Sequence, residues 1–85
     1  MISVMEYADY VIRPMDSICE NGMINYLSEC QKAAEQLNLS FVEEEEEKYY
    51  PGGCYVVDTN VYYNKDLTGT SQEISRPICG QGKYE

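Results

Sequence analysis

The chain has 85 residues and a net charge of −9, with only six Lys or Arg residues. Nucleic acids and anionic lipid surfaces both require clustered basic side chains, so this composition argues against either partner. A chain this short has room for one domain, and no run approaches the ~18–20 apolar residues that insert across a bilayer. We expect a single domain over 1–85, with an arm at 1–9, a core at 10–80 and a tail at 81–85.

The first predicted element is a short strand. Residues 7–12 contain aromatic and β-branched side chains, and the run ends at Arg13-Pro14. Because proline lacks a backbone donor, this strand is expected at the edge of a sheet. A connector from residue 15 to residue 22 follows and carries Cys19.

One amphipathic helix is predicted over residues 26–37. Its apolar side chains recur every three or four residues and form one stripe, made of Leu27, Cys30, Ala34 and Leu37. Asn25 can cap the N-terminus, and Asn38 stands where a left-handed residue commonly ends a helix. The stripe directs Cys30 toward the core.

Five consecutive glutamates follow the helix. Their carboxylates repel each other and seek water, so residues 43–48 are predicted to form an exposed acidic loop. A calcium site is disfavoured, because calcium loops space their oxygen ligands and adjacent side chains cannot converge on one ion. The run is instead a candidate surface for a basic partner, formed by Glu43, Glu44, Glu45, Glu46 and Glu47.

A β-hairpin is predicted over residues 53–64, with a polar turn at residues 58–60. Alternation along its first strand puts Cys54 and Val56 on one face and Tyr55 on the other, and the returning strand alternates likewise. With short flanking strands at both ends of the core, these elements predict an α+β fold. One amphipathic helix packs on a small antiparallel sheet, and two disulfides staple the domain.

Four cysteines, in a chain without histidine, make crosslinks the favoured interpretation over free thiols or a metal site. There is no CxxC pair, and a zinc site would need all four thiolates from scattered elements. Four cysteines allow three pairings. Placement of Cys30 on the helix stripe and Cys54 on the inner hairpin face favours Cys30–Cys54, which leaves Cys19–Cys79. Disulfides indicate an oxidising compartment, although no targeting segment is visible in the chain.

Catalysis is not expected. A nucleophile needs a base within reach, and no Ser, Thr or Cys stands in a cluster with Lys, Asp or Glu. Paired carboxylates for glycoside hydrolysis must flank a cleft. A chain of this length needs most of its residues for its core, so few remain to form the walls of a cleft. We therefore expect no enzyme, no cofactor and no metal.

Four ordered blocks carry a resemblance to a known type of domain: residues 24–39, 50–55, 61–64 and 76–79. They read INYLSECQKAAEQLNL, YPGGCY, VYYN and RPIC. Over residues 10–80 the chain resembles a small cysteine-containing domain of unassigned function. That domain is common in predicted proteins of dinoflagellates, diatoms and other marine microalgae, and of their large viruses. The resemblance implies a helix cysteine facing a hairpin cysteine, and no activity.

The chain departs from that family pattern in two places. Asn38 replaces the usual glycine after the helix, and extra cysteines near the C-terminal end are missing. Asparagine tolerates the left-handed conformation better than other non-glycine residues, so the fold is not threatened. More loosely, a helix cysteine tied to a hairpin is similar to apple-like adhesion modules.

Two non-catalytic functions remain open. In the first, the protein is an accessory or structural subunit that docks on a larger assembly, and the resemblance suggests a photosynthetic complex facing the thylakoid lumen or a virus particle. In the second, it is a secreted module that binds glycans or proteins, and the sequon at residues 38–40 makes Asn38 a candidate glycosylation site. Tyrosines are frequent interface anchors. The candidate binding residues, besides the glutamates, are Tyr49, Tyr50, Tyr55, Tyr62, Tyr63 and Asn64.

Overall fold

The computed structural model describes residues 9–80, which contain one helix and five strands. In chain order these are β1 (Tyr10–Ile12), α1 (Leu27–Gln36), β2 (Ser40–Glu45), β3 (Gly53–Val57), β4 (Asn60–Asn64) and β5 (Arg76–Gly80). The α+β fold class and both disulfides are confirmed. Residues 1–8 of the predicted arm at 1–9, which include Tyr7, and the predicted tail at 81–85 lie outside the described residues. Across residues 9–80, no helix has the length and apolar character needed to cross a membrane.

The five strands form one sheet in the order β1-β5-β3-β4-β2. The predicted hairpin is β3 and β4, which pair antiparallel with Val57 opposite Asn60, so two residues form the turn instead of three. β5 pairs antiparallel with β3 and with β1, and β1 lies at an edge, as predicted. β2 runs parallel to β4 at the other edge. The sheet is therefore mixed, where the sequence predicted antiparallel pairing throughout.

The acidic run is not the loop predicted for residues 43–48. β2 continues through its first three glutamates, and residues 46–48 alone lie outside the strand. The reason is that Phe41 packs against the core while the backbone of β2 pairs with β4. The charged side chains of an edge strand can remain in water, so mutual repulsion does not prevent the strand from forming.

Helix α1 packs on one face of the sheet and forms the core there. The stripe prediction is confirmed for Cys30 and Ala34, which are buried together with Ala33. The buried cluster between helix and sheet consists of Tyr10, Ile24, Cys30, Ala33, Ala34, Cys54, Val56, Val61, Tyr63 and Ile78. Burial of this shared apolar surface contributes to holding the helix on the sheet.

The two ends of α1 differ from each other in how well the sequence predicted them. The N-cap is Tyr26, which makes no side-chain cap hydrogen bond, so the predicted cap at Asn25 is wrong. Asn38 has a φ of 62°, as expected of a left-handed C-terminal residue. The N–H of Asn38 donates to the carbonyl of Glu35, and that of Leu39 donates to Ala34 at 2.8 Å. These two bonds define a Schellman ending.

The two disulfides lie on opposite faces of the sheet. Cys30–Cys54 ties α1 to β3 on the helix face, with a Cα–Cα distance of 5.3 Å. Cys19–Cys79 ties the connector before α1 to β5, with a Cα–Cα distance of 5.7 Å. Pro77 is paired with Tyr55, and alternation along β5 then puts Cys79 on the face away from the helix. Each face of the sheet is therefore crosslinked to a different part of the chain.

Candidate functional site

A row of three tyrosines lies on the sheet face opposite to α1. Tyr55 is in the middle, and its ring centroid is 5.5 Å from that of Tyr50 and 5.4 Å from that of Tyr62. The ring planes are inclined by 23° and 21° within these pairs. Tyr55 is 2% exposed, whereas the two outer rings are half-buried. Stacked rings at these distances contribute stabilisation beyond that of the surface area they bury, so the three rings hold each other in place.

A β-bulge in β2 brings glutamates to this face. The register of β2 against β4 shifts between Phe41 and Glu43, which makes Val42 an extra residue. Phe41 therefore points to the helix side, while Glu43 and Glu45 point to the tyrosine side. Without the bulge, alternation would place both glutamates on the face of Phe41.

The tyrosines and glutamates line a groove of about 350 Å³. We call it the tyrosine groove, and its lining residues are Glu45, Glu47, Tyr50, Tyr55, Val57, Tyr62 and Ile74. Two of these residues carry carboxylates and none is Lys or Arg. The described part of the groove is therefore aromatic and acidic.

Asn64 holds the loop that carries Tyr50. Its side chain is fully buried, and its Oδ1 accepts hydrogen bonds from the backbone N–H groups of Glu47 at 2.8 Å and Asp66 at 3.1 Å. Its Nδ2 donates to the carbonyls of Glu47, Tyr50 and Pro51 at 2.7, 3.1 and 3.1 Å. An amide with its donors and acceptors used in this way cannot be offered to a ligand. Its role is to position Tyr50.

Gly69, in the connection between β4 and β5, packs against the same loop. A Cβ at this position would lie 2.0 Å from the carbonyl oxygen of Tyr50 and 3.0 Å from Nδ2 of Asn64. The backbone near Gly69 can approach the tyrosine loop this closely only because glycine has no side chain. The position of Tyr50 thus depends on two residues that do not line the groove.

Glu45 and Tyr55 form the polar centre of the tyrosine groove. The Tyr55 hydroxyl donates a hydrogen bond to Oε2 of Glu45. Burial raises the pKa of the Glu45 carboxyl, and repulsion from Glu47 and Glu43 raises it further, which outweighs the lowering by the Tyr55 hydrogen bond. Burial and the adjacent carboxylate raise the pKa of the Tyr55 hydroxyl, so it remains a donor. The negative charge of Glu45 is consequently held in unfavourable surroundings.

We expect Glu45→Gln to remove a pH-dependent loss of stability. The pKa of Glu45 in the folded protein lies above its ordinary value of 4.5, so the folded state binds this proton more tightly than the unfolded state. The resulting stabilisation is complete below the unfolded pKa and is lost as the pH rises through the folded pKa. Glutamine still accepts a hydrogen bond from Tyr55 but does not titrate. Urea denaturation at a series of pH values from about 4 to about 8 measures the effect.

Glu46→Gln is the control for this experiment, because it removes the same unit of charge from an exposed neighbour that does not line the groove. The control should keep the wild-type decline of stability above pH 4.5. If Glu45→Gln keeps that decline unchanged, Glu45 does not cause it.

The structure brings only some of the predicted binding residues together. Tyr50, Tyr55, Tyr62, Glu45 and Glu47 meet in the tyrosine groove. The other predicted residues lie outside its lining, and these are Tyr49, Tyr63, Asn64, Glu43, Glu44 and Glu46.

The fold explains why several of these predicted residues lie outside the lining of the tyrosine groove. Tyr63 is 5% exposed and packs in the core on the helix side, where its register partner Glu44 also points. Tyr49 is highly exposed, and its ring lies under the Lys48 ammonium at 5.9 Å. Asn38 is exposed beyond the end of α1, and its glycosylation stays a prediction.

Two lining residues of the groove were not predicted, Val57 and Ile74. Ile74 is 52% exposed and stands in the polar connection between β4 and β5. An isolated apolar residue within a polar segment is the one sequence signal that could have indicated it. Nothing in the sequence relates that residue to Tyr62 or Glu45, which are distant along the chain.

Within residues 9–80, no group of three or more His, Cys, Asp and Glu side chains is placed to hold a metal ion. Comparisons with protein-family models, with curated proteins and with solved structures find no match for this chain.

Proposed function

We propose that this protein is a non-catalytic interaction module, an accessory subunit that docks on a larger assembly by binding a cationic segment of a protein partner in the tyrosine groove. One observation carries the proposal: stacked tyrosine rings and a partly buried carboxylate line the same groove. Aromatic faces attract cations, and carboxylates pair with them through charge-assisted hydrogen bonds. The tyrosine rings and the carboxylate therefore both favour a positively charged ligand.

The electrostatics of Glu45 support a cationic ligand. Its carboxylate is disfavoured by burial and by the neighbouring Glu43 and Glu47. An incoming ammonium or guanidinium group would bring one positive charge beside Glu45 and so offset part of this unfavourable electrostatic environment. Residues that are unfavourable for the isolated fold are typical of binding sites, where the ligand supplies the missing interaction.

The apolar part of the groove fits the rest of a basic side chain. Ile74 and Val57 provide aliphatic surface near the half-buried ring of Tyr62. Lys and Arg bury their methylene stems on such surface while their charged heads reach polar groups. A side chain of this type could contact Val57 or Ile74 along its stem and Glu45 at its end.

The two disulfides are consistent with an oxidising environment. We propose as the host assembly a complex on the lumenal side of an algal photosynthetic membrane, or a virus particle. The support for this is the resemblance of four sequence blocks to a microalgal domain.

Glycan binding is the alternative function. A half-buried tyrosine beside carboxylates, as at Tyr62, can also stack on a sugar ring and bind its hydroxyls. Three of the candidate binding residues, Tyr62, Tyr63 and Asn64, do not form one surface for a sugar, because Tyr63 faces the helix side and the Asn64 amide is used within the fold. Cation binding is therefore the better supported proposal.

We expect Tyr62→Ser to weaken the binding of a lysine- and arginine-containing peptide by about tenfold or more, since removal of an anchoring aromatic side chain typically has effects of this size. Titration calorimetry at low ionic strength, with the folded fraction of each variant checked, measures the affinity. Binding should also weaken as salt is added, because the groove is acidic.

Tyr26→Ser is the matched control for Tyr62→Ser. Tyr26 is 67% exposed and does not line the groove, so its replacement should change the affinity by less than about twofold. The proposal is contradicted if the wild-type protein binds no basic peptide at low salt, or if Tyr62→Ser has no larger effect than Tyr26→Ser. Saturable binding of a neutral oligosaccharide instead would support the glycan alternative.

A further inference from the structure

One edge of the sheet is open within the described chain. β2 is the terminal strand, and over residues 9–80 it pairs with β4 alone. Its six residues include neither proline nor lysine, two residues that commonly protect sheet edges. The opposite edge is different, because β1 has three residues and is followed by Arg13-Pro14. The longer edge is the one beside the tyrosine groove, and the charge of its glutamates protects it against strands that lack basic residues.

We propose that the cationic segment of the partner is extended and adds to β2 as a further strand of the sheet. This inference rests on the proposed function and specifies how the partner is held. Strand addition at a sheet edge supplies affinity through backbone hydrogen bonds, while alternate side chains supply specificity. The groove would then receive one of those side chains.

The backbone of Glu44 is directed toward the open edge. On the β4 side, the carbonyl of Glu45 accepts a hydrogen bond from the N–H of Lys65 at 2.8 Å. Successive residues of a strand direct their N–H and C=O groups to opposite sides, so those of Glu44 point away from β4. An added strand would pair with these groups.

The geometry of an added strand connects the edge with the groove. Neighbouring strands lie about 4.8 Å apart, and their side chains alternate between the two faces. Every second side chain of the added strand would therefore lie beside Glu43 and Glu45, on the face of the tyrosines. A lysine or arginine there is long enough to reach across Glu45 into the groove.

Charge selects the occupant of this edge. A second copy of the chain is disfavoured, because its own β2 would bring three further glutamates against Glu43, Glu44 and Glu45, and like charges on paired strands are destabilising. The net charge of −9 adds long-range repulsion between copies. A strand with a basic residue at every second position avoids both effects.

Glu44→Pro tests the inference directly. Proline removes the outward N–H and leaves the bonds between β2 and β4 in place, whereas the control Glu44→Ala removes the side chain and keeps the N–H. The probe is a synthetic peptide of alternating lysine and valine. We expect Glu44→Pro to bind it about tenfold more weakly than Glu44→Ala, and Glu44→Ala to stay within about threefold of wild type.

A second measurement covers the case in which Glu44→Pro fails to fold. The same peptide with all backbone N–H groups methylated keeps its charge but cannot donate to a strand, so its affinity for the wild-type protein should fall by about tenfold or more. In NMR hydrogen exchange, the unmodified peptide should slow the exchange of the Glu44 amide proton in the wild-type protein.

The possible outcomes separate the two proposals. If the peptide binds and Tyr62→Ser weakens it, but neither Glu44→Pro nor N-methylation does, strand addition is wrong and the groove function stands. If the wild-type protein does not bind the peptide at low salt, both proposals are wrong. Weakening by Glu44→Pro or by N-methylation, together with protection of the Glu44 amide, supports strand addition.

Discussion

Replacing Cys30 and Cys54 together by alanine is expected to lower the free energy of unfolding by about 4 kcal/mol. The disulfide spans a sequence separation of 24 residues, and closing a loop of that length stabilises the fold by about 3.5 kcal/mol. Both cysteines are almost fully buried in the core, so lost packing adds to the effect. A domain of this size has a total stability of about 4–13 kcal/mol. The expected loss is therefore at least about a third of the total stability.

Guanidinium denaturation under oxidising conditions measures this loss. The comparison variant replaces Cys19 and Cys79 by alanine, which opens a larger loop, with a separation of 60 residues, whose closure contributes about 4 kcal/mol. Cys19 is only half-buried, so less packing is lost there. A loss below about 1 kcal/mol for the Cys30 and Cys54 pair would show that apolar burial alone holds α1 on the sheet.

Asn64→Asp is expected to lower the free energy of unfolding by about 3 kcal/mol and to displace Tyr50. Aspartate has almost the same shape, but an ionised carboxylate cannot donate to the carbonyls of Glu47, Tyr50 and Pro51. It would also place a negative charge against three carbonyl oxygens at a fully buried position. Leaving buried polar groups unpaired has effects of this size. The protonated form would be favoured, so the loss should diminish at acid pH.

Asn60→Asp is the matched control, because it makes the same chemical change on the same strand at an exposed position. We expect it to change the stability by less than about 0.5 kcal/mol. NMR contacts between the rings of Tyr50 and Tyr55 report the second part of the prediction and should disappear only in Asn64→Asp. Equal stability of the two variants would show that the Asn64 network is not needed to hold the loop.

Local patterns in the sequence predicted much of the fold. Regular spacing of apolar residues predicted α1, and two β-rich runs separated by a short polar turn predicted the hairpin. Asn38 was expected at the left-handed C-terminal position because asparagine tolerates it, and its φ of 62° agrees. The N-terminal cap was predicted wrongly at Asn25, because the presence of a capping side chain nearby does not determine where the helix begins.

β2 was the main failure of sequence-based prediction. A run of glutamates normally indicates a solvated loop, but half of β2 consists of them. The strand forms because β4 offers a partner for its backbone and the core accepts Phe41. Neither condition is local. The same limit applies to Asn64, which looked like an exposed binding residue and is instead buried under residues that precede it by 13 to 17 positions.

The sequence by itself determined the α+β class, the helix, the hairpin and the favoured pairing of the cysteines, since each depends on spacing within a short segment or on which face a cysteine occupies. The tertiary structure decided which side chains share a site. The parallel pairing of β2, the bulge at Val42 and the loop held by Asn64 bring Glu45 and Tyr50 to Tyr55 and Tyr62. Strand order and register are set by contacts between segments that are distant along the chain. The spacing of residues within one segment is not enough to determine them.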